Sequence, residues 1–108
     1  MEATSKDLFI FETEDGHAPF KDWMAQLEGQ PAYDKILNRL DRLELGNLGD
    51  HKTVGEGVLE LRIDFGPGYR VYIGLDGPDI VVLLVGGDKS TQSADIKAAK
   101  KYWEAYNA

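Results

Sequence analysis

The sequence predicts a small α+β domain in which a mainly antiparallel sheet packs against a helical hairpin and a C-terminal helix, in the order β-α-α-β-β-β-α. Two patterns predict this class. Apolar residues recur at helical spacing in three segments, and four shorter segments alternate apolar with polar residues or are apolar throughout. A chain of 108 residues can bury one hydrophobic core, so residues 1–108 are expected to form a single domain.

The first strand and the helical hairpin lie in the N-terminal half. Residues 8–11 are apolar and precede the turn sequence of residues 14–16. The first helix is predicted from Pro19, a residue favoured in the first turn, to Gly29. Its buried face has apolar residues at i, i+3, i+4 and i+7, which are Phe20, Trp23, Met24 and Leu27. The second helix is predicted for residues 31–45, before Gly46. Its apolar stripe consists of Tyr33, Ile36, Leu37, Leu40 and Leu43.

The C-terminal half is predicted to supply three strands and the last helix. Residues 47–57 contain three glycines and are expected to form a loop that carries His51 and Lys52. Residues 58–65 and 69–75 alternate on either side of a Gly-Pro-Gly turn, which is typical of an antiparallel hairpin. Residues 80–85 are apolar on both faces, so this strand is expected in the middle of the sheet, covered by helices on one side and partly covered on the other. A loop at residues 86–89 precedes the final helix, which Ser90 or Ser93 can cap.

Composition restricts the function. The chain has no cysteine, which rules out disulfides and cysteine-based metal sites and suits a reducing cytoplasm. Its longest apolar run is only residues 80–85, and Glu2, Lys6 and Asp7 do not fit a signal peptide, so we expect a cytoplasmic protein without a membrane partner. A net charge of -7 opposes general attraction to nucleic acid, so any contact with RNA must be local.

One surface of the predicted hairpin has the side chains to bind a phosphodiester. Strand alternation places Arg62 with Glu60 on one outer face, and the returning strand adds Arg70 and Tyr72 to it. A third strand then delivers Lys89 to the edge of the same face. Guanidinium groups match phosphate in a bidentate fork, and an ammonium adds a mobile charge. The alternative is that Arg62 forms an ordinary ion pair across the hairpin with Glu60 or Asp64.

Several blocks in one order also resemble a known family, from Phe9 to Trp103. The blocks lie at residues 39–42, 45–50, 60–62, 66–70, 86–90 and 95–96, and include ELR, GPGYR and GGDKS. They resemble the RelE/ParE toxin superfamily, in its phage-Gp49 or HigB-like branch, whose members are often called addiction module killer proteins. The resemblance implies a RelE-like fold and the toxin of a type II toxin–antitoxin pair. Such toxins usually cleave mRNA on the ribosome without a metal or cofactor, and are neutralised by an antitoxin that often carries a helix-turn-helix DNA-binding domain.

The resemblance also implies roles for individual residues. Arg70 matches the arginine that contacts the phosphate in RelE-like members, Arg62 matches the basic residue of the preceding strand, and Lys89 falls near the cation directed toward the leaving or bridging phosphate. Proton transfer is less defined. Glu60, Lys52 or Lys89 are candidates to accept the proton, and Lys52, Lys89 or His51 to return one.

Other surfaces allow more than one interpretation. Lys35, Arg39 and Arg42 lie at i, i+4 and i+7 of the second helix and either form a solvated charged face or contact ribosomal RNA. Tyr72 on the active face is a candidate to stack on a base. Two other functions also fit the same superfamily: a ParE-like inhibitor of DNA gyrase without a nuclease centre, or an inactive member that only binds its antitoxin.

Overall fold

The computed structural model describes residues 5–108, which form five β-strands, three α-helices and one 3₁₀ turn. The predicted class, α+β with a mostly antiparallel sheet, is confirmed. The elements in chain order are β1 (Asp7–Ile10), α1 (Pro19–Gln26), α2 (Pro31–Glu44), β2 (His51–Gly55), β3 (Val58–Ile63), β4 (Tyr69–Asp76), β5 (Ile80–Asp88), a 3₁₀ turn (Lys89–Thr91) and α3 (Gln92–Tyr106).

The strands form one sheet in the order β1-β5-β4-β3-β2. Strand β1 pairs with β5 in parallel, and the other neighbours are antiparallel. Strand β5 is interior, as its sequence predicts, and its residues 81–84 are buried on both faces. Its last part passes the end of the β3–β4 hairpin, which brings residues from three strands to one end of the sheet.

The helical hairpin covers one face of the sheet. Both helices begin with proline at the first position, where the missing N–H has no helical partner to lose. Their apolar stripes pack on the alternate residues of the central strands, and this core includes Phe20, Met24, Ile36, Leu40, Leu43, Leu61, Val71, Ile73 and Leu83. The predicted packing of the helical hairpin against the sheet is therefore confirmed.

Helix α3 covers the opposite face, where a second core forms from Val58, Tyr72, Val82, Leu84 and Ala99. A tryptophan lies close to a glycine on each face of the sheet: Trp103 covers Gly74 and Trp23 covers Gly86. A Cβ atom at either glycine would overlap the indole ring. Both helices therefore approach the sheet closely because these two strand positions lack side chains.

Replacing Gly86 by alanine should lower the free energy of unfolding by about 2–3 kcal/mol, because the added methyl group overlaps Trp23 in a packed layer. Chemical denaturation measures the effect. The same substitution in a Trp23→Ala background should cost much less, since the indole is gone. An equal cost in both backgrounds would contradict this packing.

The structure corrects three details of the predicted elements. Residues 51–55, expected as loop, form the edge strand β2, which pairs with β3 through the backbone. Residues 86–88, also expected as loop, continue β5 because Gly87 and Asp88 still pair with β4. In α2 the buried position belongs to Arg39, whereas Leu37 is exposed.

No helix within residues 5–108 is long and apolar enough to cross a membrane. Of the three residues on which the prediction of no signal peptide depends, Glu2 lies outside the described part of the chain.

Candidate phosphate-binding cleft

Three of the predicted cations meet in one cleft. Arg62 near the end of β3, Arg70 near the start of β4 and Lys89 after β5 line an open cavity of about 430 Å³. The remaining lining comes from Asp50, Asp64 and the turn Gly66, Pro67 and Gly68. Gly66 and Gly68 both have positive φ angles, so this turn closes the hairpin beside the cleft without a bulky side chain. The cleft is large enough to admit a phosphodiester group.

Strand register explains why the arginines are neighbours. Arg62 and Arg70 are directly opposite each other in the β3–β4 pair, so their side chains leave the same face. Each has a carboxylate partner. Arg62 Nη2 lies 3.0 Å from Asp50 Oδ1, and Arg70 Nε lies 3.8 Å from Glu60 Oε1. The alternative in which Arg62 pairs with Glu60 or Asp64 is not what the geometry shows.

Lys89 reaches the cleft from a well-defined turn. The side chain of Asp88 accepts hydrogen bonds from the Ser90 N–H, at 2.8 Å, and from its hydroxyl, and these bonds lower the pKa of the Asp88 carboxyl. Asp88 and Thr91 form a capping box around the 3₁₀ turn. Helix α3 then begins after Thr91 without a side-chain capping bond, so the prediction that Ser90 or Ser93 caps it is wrong. Lys89 is therefore exposed on a turn that is held at both ends.

Glu60 and Tyr72 are not on an open face, and this corrects their predicted placement. They share a face with Arg62 and Arg70, but α3 packs over that part of the sheet. Both residues are 0% exposed. The Tyr72 hydroxyl donates to Glu60 Oε2 at 3.0 Å, and burial together with this bond raises the pKa of Tyr72. Strand alternation identifies the face but not the helix that covers half of it.

The sequence pattern predicts that Arg39 lies on the exposed face of α2, and this is wrong, because the residue is only 5% exposed. Its guanidinium donates to three main-chain carbonyls, those of Arg62 at 2.6 Å, Leu48 at 2.9 Å and Asp50 at 2.5 Å. Burial lowers the pKa of the Arg39 guanidinium. Arg39 therefore holds the loop before β2 against β3, and with it the pair of Asp50 and Arg62.

The other predicted cations lie around the cleft. Lys35 lies over the Phe65 ring, with Nζ 5.4 Å from the ring centroid, and Arg42 is exposed on the same groove of α2. Asp64 lines both this groove and the cleft. Lys52 is exposed on β2 opposite Glu60, whereas His51 pairs with Leu61 and so points toward the other face. Neither Lys52 nor His51 lines the cleft.

Two carboxylates of the cleft, Asp50 and Asp64, are not among the site residues that the sequence predicts. Alternation along β3 places Asp64 on the face of Arg62, so the sequence contains that signal. Asp50 precedes β2, and its position depends on an edge strand whose residues show no strand pattern. Only the register of β2 with β3 brings its carboxylate to Arg62.

Asp95 in the first turn of α3 packs against Gly87 and accepts a hydrogen bond from the Thr91 hydroxyl at 2.5 Å. Burial raises the pKa of Asp95.

Because its pKa is raised in the folded protein, protonated Asp95 stabilises the fold at pH values below the pKa of an unfolded aspartate, which is about 4. We therefore expect wild-type stability to fall relative to Asp95→Asn as pH rises through the Asp95 pKa. Urea denaturation across the acidic range tests this, and Asp88→Asn is the control, because its lowered pKa predicts the opposite slope.

Comparison with known proteins identifies the family. Residues 22–105 match the family described as phage-derived protein Gp49-like (DUF891). A protein of Haemophilus influenzae described as uncharacterized is 52% identical over 81 residues, which cover 75% of this chain and 82% of the relative. The chain therefore belongs to the Gp49-like family, which is associated with toxin–antitoxin systems. The matched range contains all three cations of the cleft.

Proposed function

We propose that this protein is the toxin of a type II toxin–antitoxin pair, of the RelE/ParE type, and that it stops translation by cleaving mRNA on the ribosome. The observation that carries the proposal is the meeting of Arg62, Arg70 and Lys89 in one cleft. Family membership supports the toxin–antitoxin context and, with it, a cognate antitoxin as partner.

The arrangement of charge supports an anion site. Two arginines directly opposite each other on neighbouring strands repel and destabilise the sheet. Here one carboxylate accompanies each arginine, and each pair leaves part of the guanidinium at the cleft. The three cations are matched by three carboxylates, Asp50, Glu60 and Asp64, so a phosphate would bind through the guanidinium N–H groups left at the cleft and not to a net positive charge. Facing arginines are an unusual choice for stability alone, and this favours a role in binding a ligand.

In the proposed reaction the 2′-hydroxyl oxygen attacks phosphorus and the bond to the 5′-oxygen breaks, leaving a 2′,3′-cyclic phosphate and a 5′-hydroxyl. Arg62 and Arg70 stabilise the charge that develops on the equatorial oxygens. Lys89, exposed at the edge of the cleft, protonates the leaving 5′-oxygen. The 2′-hydroxyl proton passes to Asp50 or Asp64, the carboxylates that line the cleft. Glu60 is too deeply buried to contact RNA.

The ribosome supplies the orientation in this proposal. The net charge of -7 repels RNA at long range, and the cleft itself contains two carboxylates beside its three cations. Free RNA should therefore be a poor substrate. Lys35 and Arg42 are the proposed ribosomal contacts, since their groove joins the cleft at Asp64. Arg39 and Tyr72 are buried, so neither is proposed to contact the ribosome.

Expression of the protein without a partner should arrest the growth of a bacterial host by stopping translation. Incorporation of labelled methionine should fall before incorporation of labelled thymidine. Arg70→Lys protein, expressed to the same level, serves as the control and should permit growth. An early loss of DNA synthesis and plasmid supercoiling would instead indicate gyrase inhibition. Unimpaired growth with abundant folded protein would contradict an active toxin.

A further inference from the structure

Glu60 is an unusual residue for the middle of a small sheet. Its side chain is completely buried between the sheet and the start of α3. Removing a carboxylate from water is costly unless hydrogen bonds and an opposite charge compensate it. A hydrophobic residue at this position would pack without that cost. The reason for a carboxylate must therefore lie in the groups that it contacts.

The two oxygens of Glu60 have different partners. Oε2 accepts hydrogen bonds from the Tyr72 hydroxyl at 3.0 Å and from Gln92 Nε2 at 2.9 Å. Oε1 has no hydrogen bond, and neither does Arg70 Nε, although both atoms are buried. These two atoms lie 3.8 Å apart and carry opposite charge. The neutral donors thus fix the carboxylate through one oxygen and leave the other oxygen for Arg70.

We propose that Glu60 is a positioning residue for Arg70, which it holds from behind so that the terminal nitrogens face the cleft. The Arg70 side chain is only 13% exposed, and Nη1 donates to the Tyr69 carbonyl at 3.2 Å. An arginine held at these two points keeps its planar fork in one orientation, which lowers the entropy lost when the fork contacts the phosphate in the transition state. The catalytic consequence rests on the proposed function, whereas the orientation of Arg70 does not.

The same contact couples two parts of the cleft. Gln92 begins α3 and directly follows the 3₁₀ turn that presents Lys89. One short segment therefore both places Lys89 at the cleft and holds the carboxylate that orients Arg70. The distance between the two cations is then set by the docking of this segment on the sheet.

NMR of the arginine Nε–H groups tests the positioning directly. The Arg70 signal is assigned by its loss in Arg70→Lys. Glu60→Gln keeps the side-chain shape and leaves an acceptor for Tyr72 and Gln92, but turns an NH₂ group toward Arg70. We expect the Arg70 Nε–H to exchange with solvent roughly tenfold faster in Glu60→Gln, the effect of losing one charged contact. Tyr72→Phe removes a hydrogen bond but keeps the Glu60 charge, so its Arg70 exchange rate should match wild type.

An Arg70 exchange rate unchanged in Glu60→Gln would overturn the proposal, as would an equal increase in Glu60→Gln and Tyr72→Phe. Glu60→Asp provides the second variant if Glu60→Gln does not fold: it keeps the charge but retracts the carboxylate from Arg70 by one methylene, so exchange should rise there, and a wild-type rate would also overturn the proposal.

Cleavage kinetics on ribosomes give a separate readout. Glu60→Gln should lower kcat and leave KM unchanged or lower, because it removes a negative charge near the phosphate while loosening the fork. A rise in KM with unchanged kcat would contradict the positioning role. If wild-type protein cleaves no mRNA, the proposed function fails, but the exchange experiment still decides whether Glu60 orients Arg70.

Discussion

Replacing Arg39 by methionine should lower the free energy of unfolding by about 3–5 kcal/mol. This is the largest effect expected among single substitutions of the three basic residues of α2, Lys35, Arg39 and Arg42. The guanidinium of this buried residue donates to three carbonyls on two separate segments. Methionine keeps much of the aliphatic length but donates no hydrogen bond, so these carbonyls lose their donor. Chemical denaturation monitored by tryptophan fluorescence measures the change.

Arg42 provides the matched control, since it lies one turn further along α2 and is exposed. Arg42→Met should change the stability by less than about 0.5 kcal/mol. Comparable losses in both variants would mean that Arg39 acts only as a charge on the helix surface. The comparison therefore separates a structural arginine from a solvated one.

Replacing Arg70 should reduce mRNA cleavage by about 100-fold or more, the usual cost of removing a group that stabilises transition-state charge. Arg70→Ala removes the charge completely but leaves Glu60 buried without its cation, which also costs stability. Arg70→Lys keeps a positive charge near Glu60 and removes the fork, so it should remain folded and still lose most activity. Primer extension on reporter mRNA quantifies the cleavage.

Lys35→Ala is the control for this series, because Lys35 lies over Phe65 outside the cleft. It should weaken sedimentation with ribosomes at physiological salt but leave the cleavage of bound mRNA intact. Full activity in Arg70→Lys would show that the cleft contributes charge without geometry.

Much of the sheet could be predicted from the sequence because alternation is a local property. The pattern of β3 and β4 correctly pairs Arg62 with Arg70 on one face, and the apolar run of β5 correctly places this strand in the interior. Both inferences need only the period of a strand and the turn between two strands. The cluster of cations followed directly from them.

The errors arise where contacts are remote in sequence. The strand pattern predicts that Glu60 and Tyr72 are exposed, because nothing within β3 or β4 indicates that α3, which begins 20 residues after Tyr72, covers them. Arg39 has the helical position of a surface cation but reaches carbonyls of a loop that follows the helix. Strand β2 pairs through its backbone, so its exposed side chains show no strand pattern.

The most direct test of the central claim is primer extension on mRNA incubated with purified protein, with and without programmed ribosomes. We predict breaks in the mRNA only when ribosomes are present, unaffected by a chelator at a concentration that leaves the ribosomes intact. A variant in which Arg62, Arg70 and Lys89 are all replaced should produce none. Intact mRNA on wild-type-treated ribosomes, or equal cleavage by the triple variant, would contradict the account.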